Sequence, residues 1–298
     1  MRIALVTSKD YPDLTPDDRT LLQPLADRGF KAEPALWTDP NYPWQDCTAI
    51  VIRSCWDYHL HSETFLHWIA SLESKGCNLW NSPATIRWNL DKSYLRSLES
   101  KGIPVVPTFW HEPGETPKLT DILAGKNWAR AIVKPRISAT AHRTKLIDAK
   151  NANAAQPLFE ELIAGPGAMV QPFVESIVRD GEWSLMFFGG QFSHAVLKTA
   201  KPGDFRVQDE FGGQFHAVDP PPFVLECATR TVRAVPPTLY ARVDGVIDQK
   251  QFRIMELELI EPALYLTCDP RAANRFADAI VDASKTRVSF HISIAPVL

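Results

Sequence analysis

Three acidic residues late in the chain carry the clearest chemical pattern. They are Asp244, in Asp244-Gly245-Val246-Ile247, and Glu256 and Glu258, in Met255-Glu256-Leu257-Glu258-Leu259-Ile260-Glu261-Pro262. Side chains alternate along a strand, so Glu256 and Glu258 share one face while Leu257 and Leu259 take the other. A short connection around Asp248 lets the preceding strand bring Asp244 to the acidic face. Three carboxylates gathered there repel one another, and Mg²⁺, a hard cation with oxygen ligands, relieves that repulsion. A solvated acidic face on a half-exposed strand would carry the same spacing.

Basic residues recur at three other places. Lys134 ends the apolar run Ile132-Val133 and precedes Pro135. The next stretch, Arg136-Ile137-Ser138-Ala139-Thr140-Ala141-His142-Arg143-Thr144, is small, hydroxyl-bearing and basic. Such a loop can offer N–H groups and cations to phosphates, or can be an ordinary polar hairpin tip. Lys198-Thr199 leads through Gly203-Asp204-Phe205-Arg206 to Gly212-Gly213, and Arg242 stands two residues before Asp244. Solvated surface charge is the alternative for each.

These groups need a scaffold, and the chain is long enough to supply one. Its 298 residues are 45% hydrophobic and 22% charged, with a net charge of −3. That composition excludes a disordered chain, and length suggests about two domains. No apolar run reaches the roughly 18–20 residues of a membrane span, and the charge balance disfavours bulk binding to nucleic acid. The N-terminal run Ile3–Val6 is too short for a signal peptide and reads as a buried strand, so a cytoplasmic location is expected. Five cysteines without a C-x-x-C pair predict free thiols rather than disulfides or a zinc ribbon. Phosphate-loop, dinucleotide, zinc-protease and nucleophile-elbow motifs are all missing.

The first third alternates strand and helix signals. Ile3–Val6 and Ala49–Ile52 are continuous apolar runs suited to parallel strands. Leu21, Leu22, Leu25 and Ala26 have helical spacing, as do Phe65, Trp68, Ile69 and Leu72 behind a Ser62 cap. A further helix is predicted over 92–101. Ile132–Pro135 and Met169–Val174 read as strands, and Trp183–Phe188 with Gln191–Lys198 as a hairpin around Gly189-Gly190. A polar loop runs from Lys201 to Pro222. Then come a helix from Phe223, strands over 240–247 and 251–259, and a last helix carrying Phe276 and Ile280. Strand ends of the first unit present Asp17, Asp18, Arg53, Trp56, Asp57 and Tyr58, where open α/β sheets hold ligands. An arginine beside acidic groups suits a zwitterionic amino-acid substrate, although Trp56 and Tyr58 also fit edge-of-core packing.

An ordered set of short motifs resembles the ATP-grasp carboxylate–amine ligases. It comprises Asp91-Lys92, Val133-Lys134-Pro135, Gln171-Pro172-Phe173-Val174, Gly181-Glu182, Gly203-Asp204-Phe205-Arg206, Arg242-Val243-Asp244 and Glu256-Leu257-Glu258. Arg53 to His59 and Lys198 to Gly213 look closest to the glutathione-synthetase-like branch, which includes an O-ureido-D-serine cyclo-ligase. The resemblance implies an ATP-grasp fold preceded by a small parallel-sheet α/β domain: residues 1–88, then a small lobe over 89–172 and a large lobe over 173–298. It implies ATP and Mg²⁺, two ions, as cofactors. Lys92, Lys134 and Ser138 would serve the phosphates. Gln171, Pro172, Phe173, Val174 and Glu175 would meet the adenosine, and Glu182 the ribose. Asp244, Glu256 and Glu258 would be metal ligands. Arg206, Arg242 and Lys198 would face the transferring phosphoryl group. Substrate contacts would come from Arg53, Trp56, Asp57, Tyr58, Gly212 and Gly213.

Two departures stand out. Small residues at 138–141 replace the usual glycines of the phosphate loop, and Glu258 stands where Asn is common. The implied reaction activates a carboxylate of a small amino-acid-like substrate as an acyl phosphate and forms a C–N bond. Intramolecular cyclisation is one version and two-substrate ligation another. A phosphoryl-transfer enzyme of kinase type and a non-catalytic nucleotide-binding regulator are the rivals. The segments 136–144 and 199–213 are candidate lids. Homo-oligomers occur among such relatives, whereas nucleic acid and membrane are not expected as partners.

Overall fold

In the computed structural model, residues 1–138, 141–201, 203–204, 206–207 and 212–292 are described. The apolar runs near the N-terminus form parallel strands covered on both faces. These are β1 (Arg2–Thr7) and β3 (Ala49–Ser54); the more polar β2 (Lys31–Leu36) and the two-residue β4 (Leu79–Trp80) flank them, also parallel, in the order β2-β1-β3-β4. Alternate residues of β1 and β3 face two different cores. Ala4, Val6, Ile50 and Ile52 pack on Phe65, Ile69 and Leu72 of the helix Ser62–Ser74. Ile3, Leu5, Ala49 and Val51 share a cluster with Phe276 and Ile280 of the final helix, Ala272–Ile292. That helix also reaches the third sheet, because Phe276 stacks on Phe188 at 4.6 Å. Ser62 opens its helix without capping it, since His61 occupies the cap position.

The second sheet is antiparallel. It contains β5 (Phe109–His111), β6 (Arg130–Pro135), β7 (Lys145–Asp148) and β8 (Ala168–Pro172), in the order β5-β8-β6-β7. The helices Leu119–Lys126 and Ala152–Ala164 cover one face through Ile122, Phe159 and Leu162. The strand expected over 169–174 stops at Pro172, so Phe173 and Val174 lie in the connection that follows.

A third sheet, also antiparallel, holds β9 (Glu182–Phe188), β10 (Gln191–Thr199), β11 (Gln214–Val218), β12 (Tyr240–Asp248) and β13 (Gln251–Glu258). Their order is β11-β10-β9-β12-β13. The helix Pro222–Arg233 backs it, with Val224, Ala228 and Val232 in one core with Leu257 and Leu259. β11 lies within what the sequence predicts as loop. Its residues are mostly exposed, so its short Gln-Phe-His-Ala alternation marks no buried face. No helix among the described residues is long and apolar enough to cross a membrane.

Candidate active site

β12 and β13 pair in a register that sets Asp244 against Glu256 and Arg242 against Glu258. Alternation then puts all four side chains on one face. A bulge between Asp244 and Gly245 shifts the register there. The outer edge of β13 is held by polar side chains from the segment joining the first two sheets. The Leu257 N–H donates to the Tyr94 hydroxyl at 2.9 Å, and the Leu259 N–H to Asn89 Oδ1 at 2.8 Å. Asn89 Nδ2 donates back to the Leu257 carbonyl at 2.8 Å. These three bonds hold the acidic face in place.

This face forms one wall of a cavity of about 600 Å³. Across it stand Lys134 and Ser138 from the end of β6, and Gln171 to Val174 after β8. Val106, Phe173, Ile177 and Val207 form an apolar cluster, with Ile132, Val174 and Met255 against it, at one end. Tyr11, Thr15, Trp56 and Tyr58 from the first sheet's loops close the other end, with Phe215 and Tyr265.

Every carboxylate on the metal-like face is met by a cation. Arg242 contacts Asp244 through Nη2 at 2.9 Å and also holds Glu258. Asp244 further accepts from the Ser184 hydroxyl at 2.5 Å. Lys92 Nζ lies 2.5 Å from Glu256 and 2.9 Å from the Ser138 carbonyl. Lys198 Nζ lies 2.5 Å from Glu182 and 3.7 Å from Asp244. Burial alone would raise the Asp244 and Glu256 carboxyls, but these cations outweigh it and hold both below the usual range. Glu258 differs. Burial, with Glu256 and Asp244 nearby, outweighs Arg242 and pushes it up to about 7. Glu182 is likewise raised, burial outweighing Lys198. Lys134 has no carboxylate in ion-pair range among the described residues. Burial brings it down to about 8 despite the attraction of Glu256, and Lys92 adds to the fall.

The structure brings most of the sequence-derived residues together. Lys92, Lys134, Ser138, Gln171, Pro172, Phe173, Val174, Glu182, Lys198, Arg206, Arg242, Asp244, Glu256, Glu258, Trp56 and Tyr58 all line the cavity. Five do not. Arg53 is 1% exposed, its guanidinium spent on Asp18 at 2.8 Å and the Pro262 carbonyl at 2.7 Å. Asp57 turns away to accept from the Trp37 indole at 2.9 Å. Glu175 is paired with Arg130 at the surface. Gly212 and Gly213 also lie off the cavity lining.

The loop cations of 136–144 serve as anchors. Arg136 binds Asp91 at 2.7 Å and Glu112 at 2.5 Å, and Arg143 binds Glu161 at 2.5 Å. Ala139 and Thr140 of that loop, and Pro202, Phe205 and 208–211 of the second candidate lid, lie outside the described residues. Site residues that the sequence reading passed over include Tyr11, Phe215, Glu261 and Tyr265. Glu261-Pro262 directly after the acidic strand was the available signal for Glu261. The others lie in loops without a motif.

Known proteins can now be set beside this geometry. The family described as "D-cycloserine synthetase DcsG, N-terminal domain" matches residues 3–81. The cycloserine biosynthesis protein DcsG of Streptomyces lavendulae is 31% identical over 299 residues, covering 95% of this chain and 99% of that one. This chain belongs to the DcsG-like ATP-grasp ligases. A crystal structure of D-cycloserine synthetase DcsG superposes with a TM-score of 0.87 at 29% identity, covering 95% of this chain and all of that one (100%). The D-alanine–D-alanine ligase of Bacillus anthracis, solved with ATP, gives a TM-score of 0.69 at 15% identity, over 98% of this chain and 100% of that one. At that identity the likeness is one of fold. The parallel sheet followed by two antiparallel sheets is thus the ATP-grasp fold with its preceding α/β unit. As a member of the DcsG-like group the chain is an enzyme, a ligase that forms C–N bonds.

The donor set fits Mg²⁺ in its chemistry. Asp244, Glu256 and Glu258 offer hard oxygen ligands, and the raised Glu258 marks negative charge that Arg242 leaves unbalanced. Among the described residues no three such side chains are gathered closely enough to ligate one ion as they stand. Lys92 and Arg242 occupy the oxygens instead.

Proposed function

We propose that this enzyme uses Mg²⁺-ATP to cyclise O-ureido-D-serine to D-cycloserine. The observation that carries the reading is the convergence of Lys92, Lys134, Lys198 and Arg242 with three strand-borne carboxylates in one cavity. Kinship over nearly the whole chain with the Streptomyces lavendulae DcsG supports the substrate choice. The division into 1–88, 89–172 and 173–298 is proposed with it, each part contributing one wall of the cavity.

The residues divide the work as follows. The apolar slot of Ile132, Phe173, Val174 and Met255 takes the adenine, and Glu182 the ribose hydroxyls. Lys134, buried and without a carboxylate of its own, is a cation waiting for phosphate. Lys92, paired with Glu256, is a second cation for the phosphates. Asp244, Glu256 and Glu258 would hold Mg²⁺, which when bound would supply positive charge to the phosphates. Arg242 and Lys198 face the transferring phosphoryl group, whose charge stabilisation is the main source of rate in such chemistry. Arg206, at the cavity rim, faces the same group.

The substrate carboxylate oxygen attacks the γ-phosphorus and ADP leaves, giving an acyl phosphate. The ureido nitrogen bonded to oxygen then attacks the acyl carbon and phosphate departs, closing the ring. That nitrogen still bears a carbamoyl group, whereas D-cycloserine bears hydrogen there. Water must therefore take the carbamoyl away as carbamic acid, which breaks down to CO₂ and ammonia. Water kept from the acyl phosphate until closure prevents futile hydrolysis. The test is turnover with Mg²⁺-ATP across O-ureido-D-serine, single amino acids, amino-acid pairs and γ-glutamyl peptides. O-ureido-D-serine alone should give D-cycloserine with one phosphate and one ammonia per ring. Phosphate release only with an amino-acid pair would replace the reading with two-substrate ligation.

A further inference from the structure

Glu261 is a buried carboxyl in the cavity that no cation among the described residues pairs with. It is 8% exposed and lines the cavity, yet no Lys, Arg or His lies within ion-pair range among the described residues. Each of the other lining carboxylates has a cationic or backbone N–H partner. Glu256 has Lys92, Glu258 and Asp244 have Arg242, Glu182 has Lys198 and Asp18 has Arg53. Asp17 accepts from the backbone N–H groups of Leu266 and Thr267 at 3.0 and 2.9 Å. Burial, with Glu258 and Glu256 nearby, pushes its pKa up to about 8 against the attraction of Lys92 and Arg242, so the group takes up its charge when a cationic ligand completes it.

Its surroundings narrow the ligand. The Glu261 backbone is held from the first sheet's loop, its carbonyl accepting from the Trp56 indole at 3.0 Å. The next carbonyl, of Pro262, is held by Arg53 at 2.7 Å. The backbone at Glu261 is therefore fixed. The hydroxyl of Tyr58 hydrogen-bonds to the Glu261 carboxyl and stays neutral, since burial and the nearby acids push its ionisation well above the usual range. Trp56, packed T-shaped with Tyr11 at 5.1 Å, lines the same cavity, and an indole ring attracts cations. Glu261 follows Glu258 by three residues, so it adjoins the place of phosphoryl transfer. In an α-amino acid the ammonium is one carbon away from the carboxylate that is phosphorylated.

We propose that Glu261 binds the α-ammonium group of the amino-acid substrate, with Trp56 beside it. The proposal rests on the ligase reading above and names the residue that selects amino acids over other carboxylates. It also gives a function to Arg53, which positions the Glu261 segment through Pro262.

The experiment compares wild type, Glu261→Gln and Glu261→Asp with O-ureido-D-serine and with its analogue lacking the amino group. Glu261→Gln should raise KM for O-ureido-D-serine about 10- to 100-fold, the loss of one charge-assisted contact. KM for the deaminated analogue should stay within about threefold in the same variant, because that analogue brings no charge to Glu261. Glu261→Asp should recover part of the discrimination, and an unchanged KM for ATP reports an intact fold. Equal losses on both compounds, or none on either, overturn the proposal while leaving the ligase reading standing. If wild type does not turn over O-ureido-D-serine, the reading of that substrate fails separately. Calorimetry with a non-hydrolysable ATP analogue then decides the role of Glu261, using D-serine against hydroxypropanoate. Wild type should bind only D-serine and Glu261→Gln neither. Equal binding of both, or of neither, by wild type overturns the proposal.

Discussion

At the scale of the residue, Lys134 shows how a site departs from what stability alone would choose. A buried ammonium without a carboxylate beside it costs free energy, and its depressed pKa of about 8 records that cost. We expect Lys134→Met to raise Tm of the ligand-free protein by roughly 2–4 °C, the response to about 1 kcal/mol in a chain of this size. The same change should raise KM for ATP about tenfold or more, since a charged phosphate contact is lost. Melting curves and ATP titrations check both halves, and a lowered Tm with unchanged ATP affinity would make Lys134 a structural residue. Arg53 is the opposite case. Its type and strand-end position suggest a substrate contact, yet it is locked to Asp18 beneath the cavity. Arg53→Ala should cost about 3–5 kcal/mol in urea unfolding, because it leaves Asp18 buried and unpaired. An unchanged unfolding midpoint with a raised substrate KM would return Arg53 to the substrate. The sequence places Asp18 and Arg53 at neighbouring strand ends but does not show that they spend their charges on each other, 35 positions apart, and not on a ligand.

At the scale of the element, the acidic strand pair was the most legible part of the molecule. Two-residue alternation dictates which side chains of β13 face the cavity, and the observed register adds Asp244 opposite Glu256. What the sequence did not reveal is the bulge at Gly245, where a Cβ would stand 2.6 Å from both the Arg253 carbonyl and the Phe252 ring. Gly245→Ala must push the two strands apart just beyond Asp244. We expect a loss of roughly 1–3 kcal/mol, the usual cost of overpacking. Catalysis should fall as well, because Asp244 and Glu256 lose their register. Urea unfolding and kcat report the two effects, and wild-type values for both would show that the bulge is not needed. β11 and β5 escaped notice for a different reason. Both are short edge strands, and β11 lies mostly in solvent within a long polar stretch rich in glycine, too short for its alternation to stand out.

At the scale of the whole molecule, three sheets from distant parts of the chain share one cavity. The fold class was readable because the early strands are continuous apolar runs and the later ones come as hairpins. The shared walls were not, since they depend on loops such as those carrying Tyr11, Phe215 and Tyr265. Three histidines, the buried His111 and His194 and the half-buried His59, spread across all three sheets' surroundings and couple the whole to pH. Burial is the main cause that lowers each below the free-histidine range. Protons then bind the unfolded chain more readily at these sites, so their share of the stability is present above about pH 6.5 and is lost as the pH falls below it. Glu258 and Glu261, raised to about 7 and about 8 by burial, act in the opposite sense over the same range, so the histidine share is read as a difference. Between neutral and mildly acidic pH the Tm of wild type should fall relative to that of His194→Gln. A gap between the two that does not change with pH would contradict it.

The central claim is that the substrate carboxylate itself attacks ATP. Turnover of O-ureido-D-serine whose carboxylate carries a heavy-oxygen label tests this most directly. The account predicts one labelled oxygen in each phosphate released. Unlabelled phosphate beside a fully formed product would contradict it.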